Sequence, residues 1–183
     1  MDGRTGGDPD GTRMLTATLR HFLAKDAPLV YQQLQADPGI AYWCGFSQPR
    51  NVQHARNLIR WEWSNDEDYA ICLPWLVSPI GLVSLQEHAT EWELGYWLAA
   101  DHRHKGIARS ACEQVLRHAF NELHLHRVRC GWFHGNTQSL RLQERLGFRY
   151  HHDEACATPQ GIRKLHVSYL TKEEYDSNHQ KRP

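Results

Sequence analysis

Leu94 to Leu123 reads L-G-Y-W-L-A-A-D-H-R-H-K-G-I-A-R-S-A-C-E-Q-V-L-R-H-A-F-N-E-L and contains the clearest helix pattern of the chain. Apolar residues alternate over Glu91 to Leu98, which predicts a strand. Beyond a polar turn, apolar residues recur every three or four positions, which predicts a helix with one continuous apolar side. The residues of that side are Ile107, Ala108, Ala111, Cys112, Val115, Leu116, Ala119, Phe120 and Leu123.

The turn from Asp101 to Lys105 is closed by Gly106, and its chemistry suits an anion. Glycine has no Cβ to keep backbone amides away from a bulky group. The start of the helix adds unpaired N–H groups and the positive end of its dipole. The sequence therefore predicts a phosphate or pyrophosphate site, although the patterns G-x-x-x-x-G-K-[ST] and G-x-G-x-x-G are both absent from it.

Three motifs occur here in a characteristic order. R-x-x-G-x-A runs from Arg103 to Ala108, L-G-Y-W precedes it, and N-T-Q-S-x-R-L-Q-E-R-L-G-F follows from Asn136 to Phe148. With these motifs the chain resembles the GNAT superfamily of acyl-CoA N-acyltransferases, and within it the RimJ/RimL-like ribosomal-protein N-terminal acetyltransferases. The resemblance extends over residues 15–169 in order of elements, but its specific motifs lie between Glu91 and Phe148.

Pattern and turn residues predict a single α/β (α+β) domain with a mixed, mostly antiparallel central sheet flanked by helices, which the resemblance also implies. Asp26 is the candidate cap of the first helix, and Pro38-Gly39 should end it. Strands are predicted at 15–23, 68–73, 80–86, 91–98, 127–133, 148–153 and 164–170. Helices are predicted at 27–36, 51–63, 107–123 and from 136 or 137 to 146, with a loop at 40–46.

Composition limits the classes of function. Residues 14–175 are predicted to form the domain, with a disordered tail at 1–13 and a flexible tail at 176–183. The net charge is zero, which argues against binding nucleic acid through its phosphates. Five separated cysteines without C-x-x-C, and no long apolar run, predict a cytoplasmic protein with reduced thiols, no membrane segment and no metal site. The sequence does not indicate whether the protein forms a homodimer.

The resemblance implies acetyl-CoA as cosubstrate and assigns residues to it. Backbone amides of the turn and helix start would hold the pyrophosphate, while Leu98 and Ala99 would face the pantetheine amides. Asn136 would contact the pantetheine arm and also cap the following helix. The segment at the pyrophosphate consists of Arg103, His104, Lys105, Gly106, Ile107, Ala108 and Arg109, of which Arg103 and Lys105 would add positive charge.

Acetyl transfer needs a neutral amine and a stabilised leaving thiolate. Making an α-amine neutral at pH 7 costs roughly 1 kcal/mol, against roughly 4.6 kcal/mol for lysine. Glu93 is our candidate base, with Glu91 on the same strand face as the alternative and a solvated surface carboxylate as the ordinary interpretation. Many GNAT proteins carry a tyrosine seven residues after the asparagine, where this chain has Gln143. The branch pattern instead has a serine after three, so Ser139 is the candidate thiolate-stabilising residue, in contact with the cofactor.

The sequence therefore predicts an acetyl-CoA-dependent N-acetyltransferase that transfers acetyl to a primary amine, foremost a protein N-terminal α-amine, by direct attack on the thioester. The absent tyrosine favours an alternative, a non-catalytic CoA-binding or regulatory module. A small amine or aminoacyl-tRNA as acceptor is a further alternative. Tyr42, Trp43 and Phe46 either line the acceptor groove or belong to the core.

Overall fold

Seven strands and six helices make up the described chain in a computed structural model, which describes residues 15–88 and 91–180. The strands are β1 Thr18–Arg20, β2 Asp68–Leu73, β3 Leu76–His88, β4 Glu91–Leu98, β5 Arg127–Phe133, β6 Arg149–Thr158 and β7 Gly161–Thr171. The helices are α1 Ala27–Ala36, α2 Gly39–Cys44, α3 Val52–Asn57, α4 Ile107–Asn121, α5 Thr137–Leu146 and α6 Lys172–Gln180. A π-helical turn, Leu58–Glu62, continues α3.

All strands belong to one sheet in the order β1-β2-β3-β4-β5-β7-β6. The neighbours pair antiparallel except β4 and β5, which are parallel. This confirms the predicted mixed, mostly antiparallel sheet. Within the described chain, β4 and β5 pair at a single position, Glu93 with Arg129, so an opening separates the two strands toward their carboxyl ends.

The sheet carries an apolar core on each face. The α4 stripe packs on one face against residues such as Leu94, Leu98 and Val128. Trp97, which follows the opposite alternation, packs on the other face against α1 and α3. The two sides of β4 therefore serve different layers, as its alternation predicted.

Several element bounds differ from the prediction. The expected loop at 40–46 contains α2, because Asp37 Oδ1 accepts from Gly39 N at 3.1 Å and Gly45 ends the helix at φ 75°. β3 begins at Leu76 and passes through Pro79, where the pairing register with β2 shifts and the missing N–H is tolerated. The final hairpin, β6 and β7, is longer than predicted at 148–153 and 164–170.

Asp26 does not cap α1, which corrects our prediction. Its buried carboxylate instead forms a two-pronged ion pair with Arg20, at 2.7 and 3.0 Å, and accepts from Leu23 N at 2.8 Å. The stronger charged partner on β1 draws the side chain away from the helix.

The described chain continues past residue 175 as α6, which the sequence did not indicate. Tyr175 anchors this helix, with its ring centroid 4.8 Å from that of Phe120. The predicted tail at 1–13 and the last three residues lie outside the described residues, and the flexibility of both ends stays a prediction.

Candidate active site

The opening between β4 and β5 leaves one edge of β4 without a strand partner. Three alternate carbonyls on this edge accept from side chains. Leu94 O accepts from Cys130 Sγ at 3.2 Å, Tyr96 O from Cys44 Sγ at 3.7 Å, and Leu98 O from Arg103 Nε at 2.9 Å. A ligand displaces single side-chain donors more easily than it displaces a hydrogen-bonded neighbouring strand. An extended molecule with amide groups therefore has a row of acceptors along β4 to bind.

The predicted anion loop follows directly after β4. A short 3-10 turn, Ala100–His102, leads into it, and two of its residues have left-handed backbone, His104 at φ 60° and Gly106 at φ 76°. Gly106 occupies the N-cap position of α4, and since glycine has no side chain the first amides of α4 have no side-chain cap. The anion site at this helix start stays a prediction.

The basic side chains of this loop have intramolecular partners. Arg103 Nη2 lies 2.6 Å from Asp37 Oδ2 and so links the loop to the end of α1. Lys105 Nζ donates to Asp101 O at 2.6 Å. Since the charge of Arg103 is paired with Asp37, its side chain fixes the shape of the loop. Its backbone N–H donates to Ala100 O at 3.2 Å, so contact of Arg103 with a pyrophosphate stays a prediction.

A buried polar network lies on the α5 side of the opening. Asn136 caps α5, because its Oδ1 accepts from Ser139 N at 3.2 Å, as predicted. The Ser139 hydroxyl lies 2.9 Å from the Tyr96 hydroxyl and 3.1 Å from Gln143 Nε2. Gln143 is 1% exposed and accepts from Ser168 Oγ at 2.6 Å.

Two members of this network, Tyr96 and Gln143, were not predicted as site residues. Tyr96 lies within the apolar alternation of Glu91 to Leu98, and Gln143 stands where many GNAT proteins carry a tyrosine. The motifs did contain a signal, because both residues lie within the quoted L-G-Y-W and N-T-Q-S-x-R-L-Q segments. Tyr96 contacts Ser139, which is 43 positions away in the sequence, and no local pattern reveals such a contact.

The two candidate bases lie on the opposite face of β4, in different surroundings. Glu91 has two donors. Arg127 Nη2 lies 2.5 Å away, and the Tyr169 hydroxyl shares its hydrogen between both carboxylate oxygens at 3.0 and 3.1 Å. Glu93 has Arg129 Nε 3.2 Å away, in an ion pair that is not aligned as a hydrogen bond. Burial raises the pKa of Glu93 above its ordinary value, and the Arg129 guanidinium opposes this rise.

Helix α2 forms a wall on the Glu93 side of the sheet. Tyr42 is 42% exposed and Trp43 37% exposed, so neither is a core residue. The Arg163 guanidinium carbon lies 3.8 Å from the ring centroid of Tyr42 and 3.9 Å from that of Phe133, which fastens α2 to β5 and β7. Phe46 instead packs edge-on against the buried Trp63.

A groove runs along this wall at the start of α3 and the tip of the last hairpin. It is lined by Gly45, Phe46, Ser47, Gln48, Arg50, His54, Leu58, Glu62 and Pro159. Its lining is mixed, with apolar, amide and charged groups of both signs. Such a surface suits a polar extended acceptor better than a purely apolar one.

Two further observations concern metal ions and membranes. Among residues 15–88 and 91–180, no group of three or more His, Cys, Asp or Glu side chains is arranged to hold a metal ion. None of the helices described in those ranges has the length and apolar character needed to cross a bilayer.

Comparison with known proteins places these features in one family. The family model described as Acetyltransferase (GNAT) domain matches residues 17–149. "Putative ribosomal N-acetyltransferase YdaF" of Bacillus subtilis is 38% identical over 73 residues, which are 40% of this chain and 40% of that protein, so this chain covers less than half of that relative.

Solved structures share the fold. Mycobacterium smegmatis RimJ in complex with CoA-disulfide has a TM-score of 0.73 at 22% identity, covering 87% of this chain and 86% of that one. An acetyltransferase (GNAT family) from Bacillus anthracis has a TM-score of 0.76 at 19% identity, covering 87% and 98%. At these identities the likeness concerns the fold. Since the family model matches residues 17–149, most of the length of this chain, the chain belongs to the GNAT acetyltransferase family.

Proposed function

We propose that this protein is an acetyl-CoA-dependent N-acetyltransferase that transfers the acetyl group to a primary amine, foremost the α-amine of a protein N-terminus. The observation that carries the proposal is the unpaired edge of β4. It presents a row of carbonyls, and it runs from the half-buried carboxylate Glu93 to the loop before α4. Glu93 and Leu98 are five residues apart, which is about 17 Å along a strand.

This geometry accommodates the cosubstrate in one direction. Amides at Gly106 to Arg109 bind the pyrophosphate, and carbonyls of Tyr96 and Leu98 receive the pantetheine amides once Cys44 and Arg103 yield them. The thioester then lies toward the closed end of the opening, where Ser139 and Glu93 approach from opposite faces of the sheet. In this arrangement Leu98, Ala99 and Asn136 contact the pantetheine arm.

The reaction proceeds by direct attack. The amine nitrogen bonds to the thioester carbonyl carbon, the C–S bond breaks, and its electron pair goes to the CoA sulfur. Glu93 accepts the proton that the nitrogen loses, through a water molecule, and the Ser139 hydroxyl donates a hydrogen bond to the departing thiolate. Its raised pKa brings Glu93 closer to the range useful for a base at neutral pH.

Three arguments support a protein N-terminus as acceptor. An α-amine has a roughly 300-fold larger neutral fraction at pH 7 than a lysine, so a weak carboxylate base suffices. The names of YdaF and RimJ associate relatives of this chain with ribosomal proteins or with RimJ-type enzymes. The mixed polar groove beside α2 has the character expected of a peptide site.

Calorimetry with acetyl-CoA tests the cofactor assignment. Gly106→Asp is expected to abolish binding, because a carboxylate at the helix start repels the pyrophosphate. Gly106→Asn is the matched control, since asparagine has the same shape and tolerates left-handed backbone but carries no charge, so it should retain more affinity. Equal affinity of wild type and Gly106→Asp would locate the phosphates elsewhere.

A further inference from the structure

Four polar side chains form a continuous chain through the otherwise apolar layer between the sheet and α5. Tyr96 of β4, Ser139 and Gln143 of α5, and Ser168 of β7 are linked by hydrogen bonds of 2.9, 3.1 and 2.6 Å. Gln143 and Ser168 are each 1% exposed. Buried polar groups are costly unless they are bonded, so this chain is a built feature of the core.

The direction of the bonds at Gln143 follows from its partners. Gln143 Nε2 lies 3.0 Å from Gly131 O, a carbonyl that can only accept, so the nitrogen must face it. The second hydrogen on Nε2 then points to Ser139 Oγ at 3.1 Å. Ser139 therefore accepts one hydrogen bond from Gln143.

The second bond at Ser139 joins it to Tyr96. The Tyr96 hydroxyl lies 2.9 Å from Ser139 Oγ, where either oxygen could be the donor, and 3.4 Å from Ser139 O, which can only accept. We assign Tyr96 as the donor to Ser139 Oγ, the nearer of its two acceptors. Burial raises the pKa of Tyr96 well above its ordinary value, which keeps the phenol in its donor form.

A serine hydroxyl has two acceptor positions and one hydrogen. With both positions filled by Gln143 and Tyr96, the hydrogen of Ser139 is the one remaining bonding group. Ser139 is only partly buried, at the first turn of α5 beside the opening. Its hydrogen is therefore free to point toward a group in the opening.

We infer that Tyr96 and Gln143 are positioning residues that direct the Ser139 hydrogen at the departing CoA sulfur. The inference rests on the proposed function of Ser139. No proton passes along the chain: Ser139 only donates a hydrogen bond as the sulfur takes up the electron pair of the breaking C–S bond. Together, Tyr96 from β4 and Gln143 take the place of the phenol that many relatives carry on this helix.

Tyr96→Phe removes only the hydroxyl and is the decisive variant. We expect acetyl-CoA affinity to stay within a few fold and turnover to fall by about tenfold, less than the 10²–10³-fold expected for removing the direct donor in Ser139→Ala. In the Ser139→Ala background, Tyr96→Phe should add no further loss, because the two act as a unit. Tyr69→Phe is the control, since it removes a phenol hydroxyl that bonds Glu67 away from the opening.

The pKa of enzyme-bound CoA thiol, followed by the ultraviolet absorbance of the thiolate, provides a readout that needs no turnover. A donor aimed at sulfur lowers this pKa, so Tyr96→Phe should raise it by about one unit, in line with a tenfold change. Unchanged thiol pKa and turnover in Tyr96→Phe, or faster turnover, would show that Ser139 donates to Tyr96 and would overturn the inference. A wild-type protein that lowers the thiol pKa but transfers no acetyl group would instead contradict the proposed function alone.

Discussion

Glu93 and Glu91 lie two residues apart on the same face of β4, yet their surroundings suit different tasks. Glu91 is paired with Arg127 and accepts from the Tyr169 hydroxyl, whose single hydrogen is shared between the two carboxylate oxygens, so both oxygens already have a donor. Within the described ranges, Glu93 accepts no hydrogen bond, and burial raises its pKa against the opposing charges of Arg129 and His88. A base needs a free lone pair and a pKa above that of an exposed carboxylate, and Glu93 meets both conditions.

Glu93→Gln should therefore slow acetyl transfer by about 10²–10⁴-fold at neutral pH, because the proton acceptor is lost while the shape is kept. Wild-type activity should decline as pH falls through the raised Glu93 pKa, and this acidic limb should vanish in the variant. At high pH, where the amine deprotonates unaided, part of the rate should return. Steady-state rates across pH check this, with Glu91→Gln as the control. A Glu93→Gln protein as fast as wild type at pH 7 would refute the assignment.

At the scale of single residues, the sequence could indicate which side of an element a residue faces but not what it meets there. The alternation on β4 correctly separated Tyr96 from Glu93. Asn136 was identified as a cap because capping is local. The bond between Tyr96 and Ser139 depends on how β4 and α5 are brought together, and the surroundings of Gln143 depend on β7 as well. Such contacts require the tertiary structure.

Among the elements, α2 shows how one pair of residues supports two interpretations. Pro38 and Gly39 predicted a loop because proline and glycine often interrupt helices. The same proline is also compatible with a helix start, and Gly45 provides the left-handed stop. The sequence identified a boundary there and could not tell whether the chain beyond it was helical.

The contact of Arg163 with Tyr42 allows a test of whether α2 belongs to the acceptor site. Arg163→Gln removes the cation from between Tyr42 and Phe133 and should loosen α2. Since contacts of this kind contribute about 0.5–2 kcal/mol, we expect the KM for a peptide acceptor to rise several fold, with acetyl-CoA affinity unchanged. Arg60→Gln is the matched control, because Arg60 forms a similar contact with the exposed Trp61. An unchanged acceptor KM would remove α2 from the acceptor site.

Helix α4 carries a pH-dependent contact near its end. His118 Nε2 lies 3.1 Å from Glu67 and its Nδ1 lies 2.9 Å from Glu122. Desolvation lowers the pKa of His118, but the two carboxylates outweigh it and raise the pKa overall. A raised folded-state pKa stabilises the protein below the unfolded value of about 6.5, and the benefit disappears as pH rises through the folded value.

His118→Gln should therefore lower the free energy of unfolding at mildly acidic pH and have little effect at alkaline pH. Urea unfolding of wild type and variant at a series of pH values measures this difference. His54→Gln serves as the comparison, because His54 lies on α3 at the other face of the sheet. A destabilisation that stays constant with pH would show that His118 contributes packing and no charge.

For the whole molecule, the seven strands and the mostly antiparallel character of the sheet were predictable. The lengths of β6 and β7 and the presence of α6 were not. Apolar alternation identified β2, β4 and β5 at their observed bounds. β6 reads R-Y-H-H-D-E-A-C-A-T and lies at the edge of the sheet, where polar residues are tolerated and the hydrophobic signal is weak. α6 has Tyr175 as its one buried residue, too little for a periodic signal.

We claim that an acetyl group is transferred from acetyl-CoA to an amine at this site. The release of free CoA thiol from acetyl-CoA in the presence of two peptides, with mass spectrometry of the products, measures this transfer. One peptide has a free N-terminal α-amine, and the other is the same peptide blocked at its N-terminus with an internal lysine. We predict thiol release with an equal amount of acetylated peptide, faster for the free α-amine. Binding of acetyl-CoA without thiol release across peptides and small amines would contradict the claim and identify a CoA-binding module.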